Sequence, residues 1–281
     1  MNRRIAFAVF CILHLSACAV DHTTAPPTAG SGAATNAAAA SNAEALVEQA
    51  IEEQRLKELG VQPGTKKAAI MMKWHRTIRE APDLKAASPA GIPPSQTPQG
   101  QVVFADGMMR VTPAKRAEFW SLYARVAAAH LPDDCYGQAS STAISSRLMA
   151  FPNLTDEDTD EYLGLVVAML HASAQHAPEH VPTPAERMAA STALGKLMMT
   201  EVKSKADADH LARVLVNRSA ASIADACWVT KVSIRAIDRL PPDEKDVLLA
   251  SAYHQAVVAA AAAAAPAAPA SSAAPAPGSR N

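Results

Sequence analysis

The sequence predicts a mainly α protein, an irregular multi-helix bundle, and three observations predict it. Glycine is scarce, 11 in 281 residues, and aromatic residues make up only 4%. Alanine-rich chains of this kind favour helices over sheets. Apolar residues recur at three- and four-residue spacings through most of the middle of the chain. Helix-start chemistry, a Ser, Thr or Asp ahead of such a stripe, recurs with them.

Taken in order, residues 43–59 carry Leu46, Val47, Ala50, Ile51, Leu56 and Leu59, and the stripe stops at Gly60. Residues 65–80 repeat the pattern with Met71, Trp74, His75 and Ile78. Together, residues 43–86 read as a helical hairpin. A proline-rich break, 87–100, separates it from a core domain of residues 101–263. At the start of that core, QVVF and MMRV flank Asp106-Gly107. Two short apolar runs around Asp-Gly are the pattern of a β-hairpin near 101–111, the one exception to the helical reading.

Thr112-Pro113 then opens a helix with Phe119, Leu122, Tyr123 and Val126 on one face, proline being suited to a first helical position. Thr155 caps a helix whose segment 164–170, GLVVAML, is apolar nearly all round and so central. Thr183-Pro184-Ala185-Glu186 is a capping box, leading to Met188, Leu194, Leu197, Met198 and Val202. Ser204 to Asp207 starts a further helix with Leu211, Val214 and Leu215. Ile223, Cys227, Thr230, Ile234 and Ile237 share one more face, ended by Pro241-Pro242, and Asp243 begins the last helix. The two ends are Ala/Pro-rich: residues 18–42 read as a flexible linker, and 264–281 as a disordered tail. Too little apolar side chain is present there to offset the entropy of ordering.

The N-terminus carries the most specific signal. Arg3 and Arg4 precede an apolar run from Ile5 to Leu15, which is too short for a permanent membrane span. Leu15-Ser16-Ala17-Cys18 follows. These residues resemble the lipobox of bacterial lipoprotein precursors. The resemblance implies that residues 1–17 are a signal peptide, cleaved before Cys18. It also implies a diacylglycerol thioether on the Cys18 sulfur and an acyl chain, such as palmitate, on its amino group. Ala19 in the next position implies outer-membrane sorting, with the body facing the periplasm. Two or three acyl chains anchor stably, since each buried methylene contributes about 0.8 kcal/mol.

Net charge is −1, falling to −3 without the signal peptide, which argues against nucleic acid as a partner. Beyond Cys11 and Cys18, only Cys135 and Cys227 remain. In an oxidising compartment they make a natural disulfide, the alternative being two buried thiols. No Cys-x-x-Cys spacing suggests redox chemistry.

Residues 176–180, HAPEH, match the His-x-x-Glu-His of a zinc-peptidase family. That chemistry needs a helix through both histidines, and Pro178 sits inside the turn. The stretch therefore reads as a helix ending near Ala177 and a proline-punctuated loop. The alternatives there are a looser metal site from His171, His176, Glu179 and His180, and solvated histidines, the plainer reading. TDEDTDEY, 155–162, alternates Asp156, Asp158 and Asp160 as an EF-hand does. Glu161 and Val167 stand where that loop needs glycine and glutamate, so the acids read as a helix N-terminus. Met108-Met109 and Met198-Met199 suggest copper only weakly beside ordinary core filling. Trp74, Trp120 and Trp228 read as core or partner contacts. No catalytic residue and no cofactor beyond the covalent lipid are indicated.

The function expected is a membrane-anchored helical module for protein interaction or envelope assembly. Residues 43–59 and 65–80 are the candidate docking elements. The alternatives are a small-ligand or metal-binding lipoprotein using the His171–His180 segment, and a hydrolase whose site carries no known motif.

Overall fold

A computed structural model describes residue 47, residues 49–87, 98–217 and 220–264. The expected signal peptide (1–17), Cys18, the expected linker 18–42, residues 88–97 of the proline-rich stretch and the expected tail from 265 lie outside these residues. Every regular element among the described residues is helical. In chain order they are α1 (49–58), α2 (Lys66–Glu80), α3 (Pro82–Ala87), α4 (Pro98–Arg110), α5 (Pro113–His130), α6 (Ser141–Leu148), α7 (Asp156–Ala174), α8 (Pro184–Glu201), α9 (Lys205–Val216), α10 (Ile223–Asp238) and α11 (Pro242–Ala264). Short 3₁₀ turns at Cys135–Gly137 and Phe151–Asn153 flank α6.

The boundaries follow local chemistry. Thr112 caps α5 by accepting a hydrogen bond from the Lys115 amide, with Pro113 in the first turn. Thr155 with Asp158, Thr183 with Glu186 and Ser222 with Asp225 form reciprocal capping boxes on α7, α8 and α10. α1 ends in a Schellman turn: the Val61 amide reaches the Leu56 carbonyl at 2.8 Å, with Gly60 left-handed at φ +73°. A Cβ on Gly60 would also stand 2.7 Å from the Pro152 ring.

The expected hairpin near 101–111 is corrected by the structure: Pro98–Arg110 is a single helix, α4. Asp106-Gly107 is not a turn. Gly107 lies at the crossing of α4 and α7, where a Cβ would come within 2.2 Å of the Met169 carbonyl oxygen. The glycine is there because two backbones approach, and tertiary packing overrides its local preference.

α7 is central, as its apolar sequence predicts, burying Leu163, Leu165, Val166, Val167, Met169 and Leu170. Around it α2, α4, α5 and α6 contribute one apolar cluster that includes Met71, Met108, Leu122, Leu148 and Met169. A second cluster gathers α8, α9, α10 and α11 around Leu194, Met198, Leu211, Val232 and Leu248. Trp120 of α5 packs against both. α2 and α3 rest on α7 through Ile78 and Leu84. Residues 66–87 therefore share one body with helices that follow the proline-rich stretch.

A disulfide and a buried ion pair are among the links between the halves. Cys135 and Cys227 form a disulfide with Cα atoms 5.5 Å apart, both cysteines buried beside Ile144. Arg116 of α5 is 1% exposed and Asp246 of α11 is 7% exposed. The Arg116 Nε donates to Asp246 Oδ1 at 2.6 Å, while Nη1 donates to the carbonyls of Met108, Met109 and Val111. One buried guanidinium thus neutralises a carboxylate and caps the C-terminal end of α4, which is what makes its burial tolerable.

Candidate functional site

The segment around HAPEH is where the sequence concentrates its ligand-type residues. α7 ends at Ala174, three residues before the expected boundary. The Ala177 amide bonds the Ala172 carbonyl at 3.0 Å and the His176 amide bonds Ser173 at 3.0 Å. His176 takes the left-handed position, φ +50°, that glycine usually fills in such a cap. The chain has therefore left the helix before Pro178. His176 and His180 do not share a helical turn, and the peptidase geometry is not formed.

Three of the four ligand candidates have separate partners. His171 Nδ1 lies 2.7 Å from Asp83 Oδ2, joining α7 to α3. Glu179 accepts from Arg110 Nη2 at 2.6 Å, and the same guanidinium holds the Ala177 carbonyl at 2.6 Å. Arg110 is itself oriented by Asp106, at 2.9 Å to both oxygens. The His180 amide donates to the Met109 carbonyl at 3.1 Å, and its Nδ1 lies 2.8 Å from Asp246 Oδ2 and 3.4 Å from Arg116 Nη2. His176 is exposed. Among the described residues, no group of three or more His, Cys, Asp or Glu side chains is arranged to hold a metal ion. The loop is instead a strap over the Arg110 and Arg116 ends of α4 and α5.

Carboxylate–imidazole pairs recur elsewhere. His75 faces Glu52 at 3.1 Å across α1 and α2, and His210 Nε2 faces Asp225 at 2.8 Å across α9 and α10, with its ring against Trp228. The His171 hydrogen bond holds the Asp83 carboxyl below its usual range. For Asp225 the Ser222 hydroxyl does most of this, with His210 second.

The acidic run is spent at the start of α7. Burial would raise the Asp158 carboxyl, but hydrogen bonds from Arg125 and Thr155 outweigh it and hold the group low. A shallow, open cleft of about 480 Å³ lies between α2, α5 and α7. Its walls include Trp74, Glu118, Glu157, Asp160 and Glu161. Each of these carboxylates meets a cation: Glu118 meets Lys115 at 2.7 Å, Glu157 Lys66 at 3.1 Å, Asp160 Lys73 at 2.9 Å, and Glu161 Arg125 at 2.6 Å. The Trp74 indole also donates to Asp160 at 2.5 Å. These groups tie helices together and lend the cleft little net charge.

The methionine doublets do not form thioether sites either. Met108 and Met109 are both buried, and Met198 is buried while Met199 faces outward. What sequence reading missed is the Arg116–Asp246 pair. A signal was present, since Arg116 sits three residues before Phe119 in the buried stripe of α5, where a charge demands a partner.

Geometry defines a class at this point: a disulfide-stapled, all-helical protein whose polar side chains mostly serve to bind helix to helix. Comparison with protein families, curated proteins and solved structures gives no match.

Proposed function

We propose that this chain is a lipid-anchored lipoprotein of the bacterial envelope, its helical body serving protein interaction or assembly on the periplasmic side of the outer membrane. The observation that carries the reading is the buried Cys135–Cys227 disulfide, a bond that persists in oxidising compartments and is rare in reducing ones. It agrees with the export implied by Leu15-Ser16-Ala17-Cys18. The interaction role draws support from α1, which buries Leu56 but leaves Ile51 outward, and from Val47 just before it, which is exposed too. α2 is the weaker docking element of the two, because Ala68, Met71 and Ile78 are already buried.

The anchor is tested by growing a diderm bacterium that expresses the full chain with an alkyne analogue of palmitate. The wild type should take up label and pellet with outer membranes. Cys18→Ser should lose both and leave the Cys135–Cys227 bond intact. An unlabelled wild-type protein released in soluble form would overturn the anchor. Photo-crosslinking residues placed at Val47 and Ile51 should each give a discrete adduct; none at either site would remove α1 from the docking role.

A further inference from the structure

The outward face of α8 carries Met188, Thr192, Gly195 and Met199 at spacings of four, three and four. Met188 is 65% exposed and Met199 is 46% exposed. Eleven residues at about 100° each bring the two thioethers within roughly 20° of one another around the helix, about 16 Å apart along it. Thr192 is exposed between them, and a Cβ on Gly195 would meet nothing within 4 Å. No charge interrupts the stripe.

The remaining described methionines are withdrawn from solvent. Met71, Met108, Met109, Met169 and Met198 are buried, and Met72 and Met149 are partly covered by the core. Met198 and Met199 are sequence neighbours on one helix, yet Met198 is 2% exposed.

The geometry points to this face of α8 as an oxidation site, where hydrogen peroxide or hypochlorous acid converts Met188 and Met199 to sulfoxides in the folded protein. With peroxide, a sulfur lone pair attacks one oxygen, the O–O bond breaks and an S–O bond forms. The departing hydroxide takes the proton from the oxygen now bound to sulfur and leaves as water, so that the sulfoxide is neutral. Sulfur is oxidised by two electrons and the peroxide is reduced by two. At Met188 and Met199 the new oxygen stays in water, so the fold bears no desolvation cost. At Met198, which is 2% exposed, the same oxygen would have to leave water for a packed apolar cluster, where Ser233 alone, whose hydroxyl already donates to the sulfur, is placed to meet it. The modification turns an apolar stripe polar and is reversible by sulfoxide reductases.

The test treats the folded full-length protein with hydrogen peroxide and follows each methionine by peptide mass over time. Met188 and Met199 should take the first two oxygens, with Met199 reacting at least about tenfold faster than Met198. The doubly oxidised protein should keep a cooperative thermal transition. Replacing both residues, Met188→Leu with Met199→Leu, should remove the fast uptake. Equal rates at Met198 and Met199 would overturn the assignment, as would first oxidation at Met72 or Met149, or loss of the transition after two oxygens. The Met198–Met199 comparison needs only the unaltered chain, so it decides the matter even if the variant folds poorly.

Discussion

Replacing both Cys135 and Cys227 by alanine should cost the protein about 3 kcal/mol of stability, and the figure follows from two features of the bond. The cysteines are 92 residues apart. Closing a loop of that length removes unfolded-state entropy equivalent to about 4.6 kcal/mol at 25 °C. Against this stands the turn that the bond holds. Cys135 and Tyr136 sit at φ +47° and +60°, beside Gly137 at +68°. Left-handed backbone costs a non-glycine residue roughly 1 kcal/mol, so a freed turn that relaxes returns part of the gain. The remainder should lower the melting temperature by roughly 6–12 °C for a body of this size. Urea denaturation of wild type and double variant measures the difference. The denaturant slope of the variant should rise, because its unfolded chain is no longer looped. Wild type treated with a phosphine reductant until both thiols are free should match the double variant. A change below about 1 kcal/mol in both would refute the loop-closure reasoning.

Other perturbations have equally definite outcomes. Arg116→Ala removes the guanidinium from the Asp246 carboxylate and from the Met108, Met109 and Val111 carbonyls, of which Met109 keeps the His180 amide, and should destabilise by about 3–5 kcal/mol in chemical denaturation; a loss under 1 kcal/mol would mean that water or His180 replaces it. Gly107→Ala drives a methyl into the Met169 carbonyl and should cost about 2–3 kcal/mol by the same assay, whereas Gly195→Ala, in open space on α8, should be neutral or stabilising. Asp83, Asp158, Asp225 and Glu201 all have carboxyls held low by their hydrogen-bond partners. Their folded values lie below the unfolded ones, so their contribution is present above the ordinary carboxylate range and disappears as pH falls through the folded values. Stability should drop progressively below about pH 4, and Asp83→Asn combined with Asp225→Asn should flatten that limb of a pH-melting curve; an unchanged slope would show the pairs to be inert.

Most helices were legible because their information is local. Thr112-Pro113 and Thr183-Pro184-Ala185-Glu186 announce starts that need no distant partner, and the apolar stretch 164–170 could only be central. α4 was misread because Asp106-Gly107 has a strong turn preference, while the reason for glycine there is Met169, sixty-two positions away in the chain. Proline chemistry foretold that HAPEH is not a helix. The end came three residues early because His176 accepts the left-handed cap position, which histidine tolerates better than most side chains. Cysteine counting suggested the disulfide. Counting does not give the partners of His171, Glu179 and His180, since Asp83, Arg110 and Asp246 are brought near only by the folded chain.

The Arg116–Asp246 pair also spans most of the described chain, joining residues 130 positions apart. Synthesis from the N-terminus delivers Arg116 early, together with the carbonyls at the end of α4 that receive it. The neutralising carboxylate arrives only with α11, the last of the described helices. A polypeptide cut off before residue 242 would have to leave the cation wet, keeping the junction of α4 and α5 open to proteases. The first half of the fold thus draws the counter-charge for its buried cation from the second half.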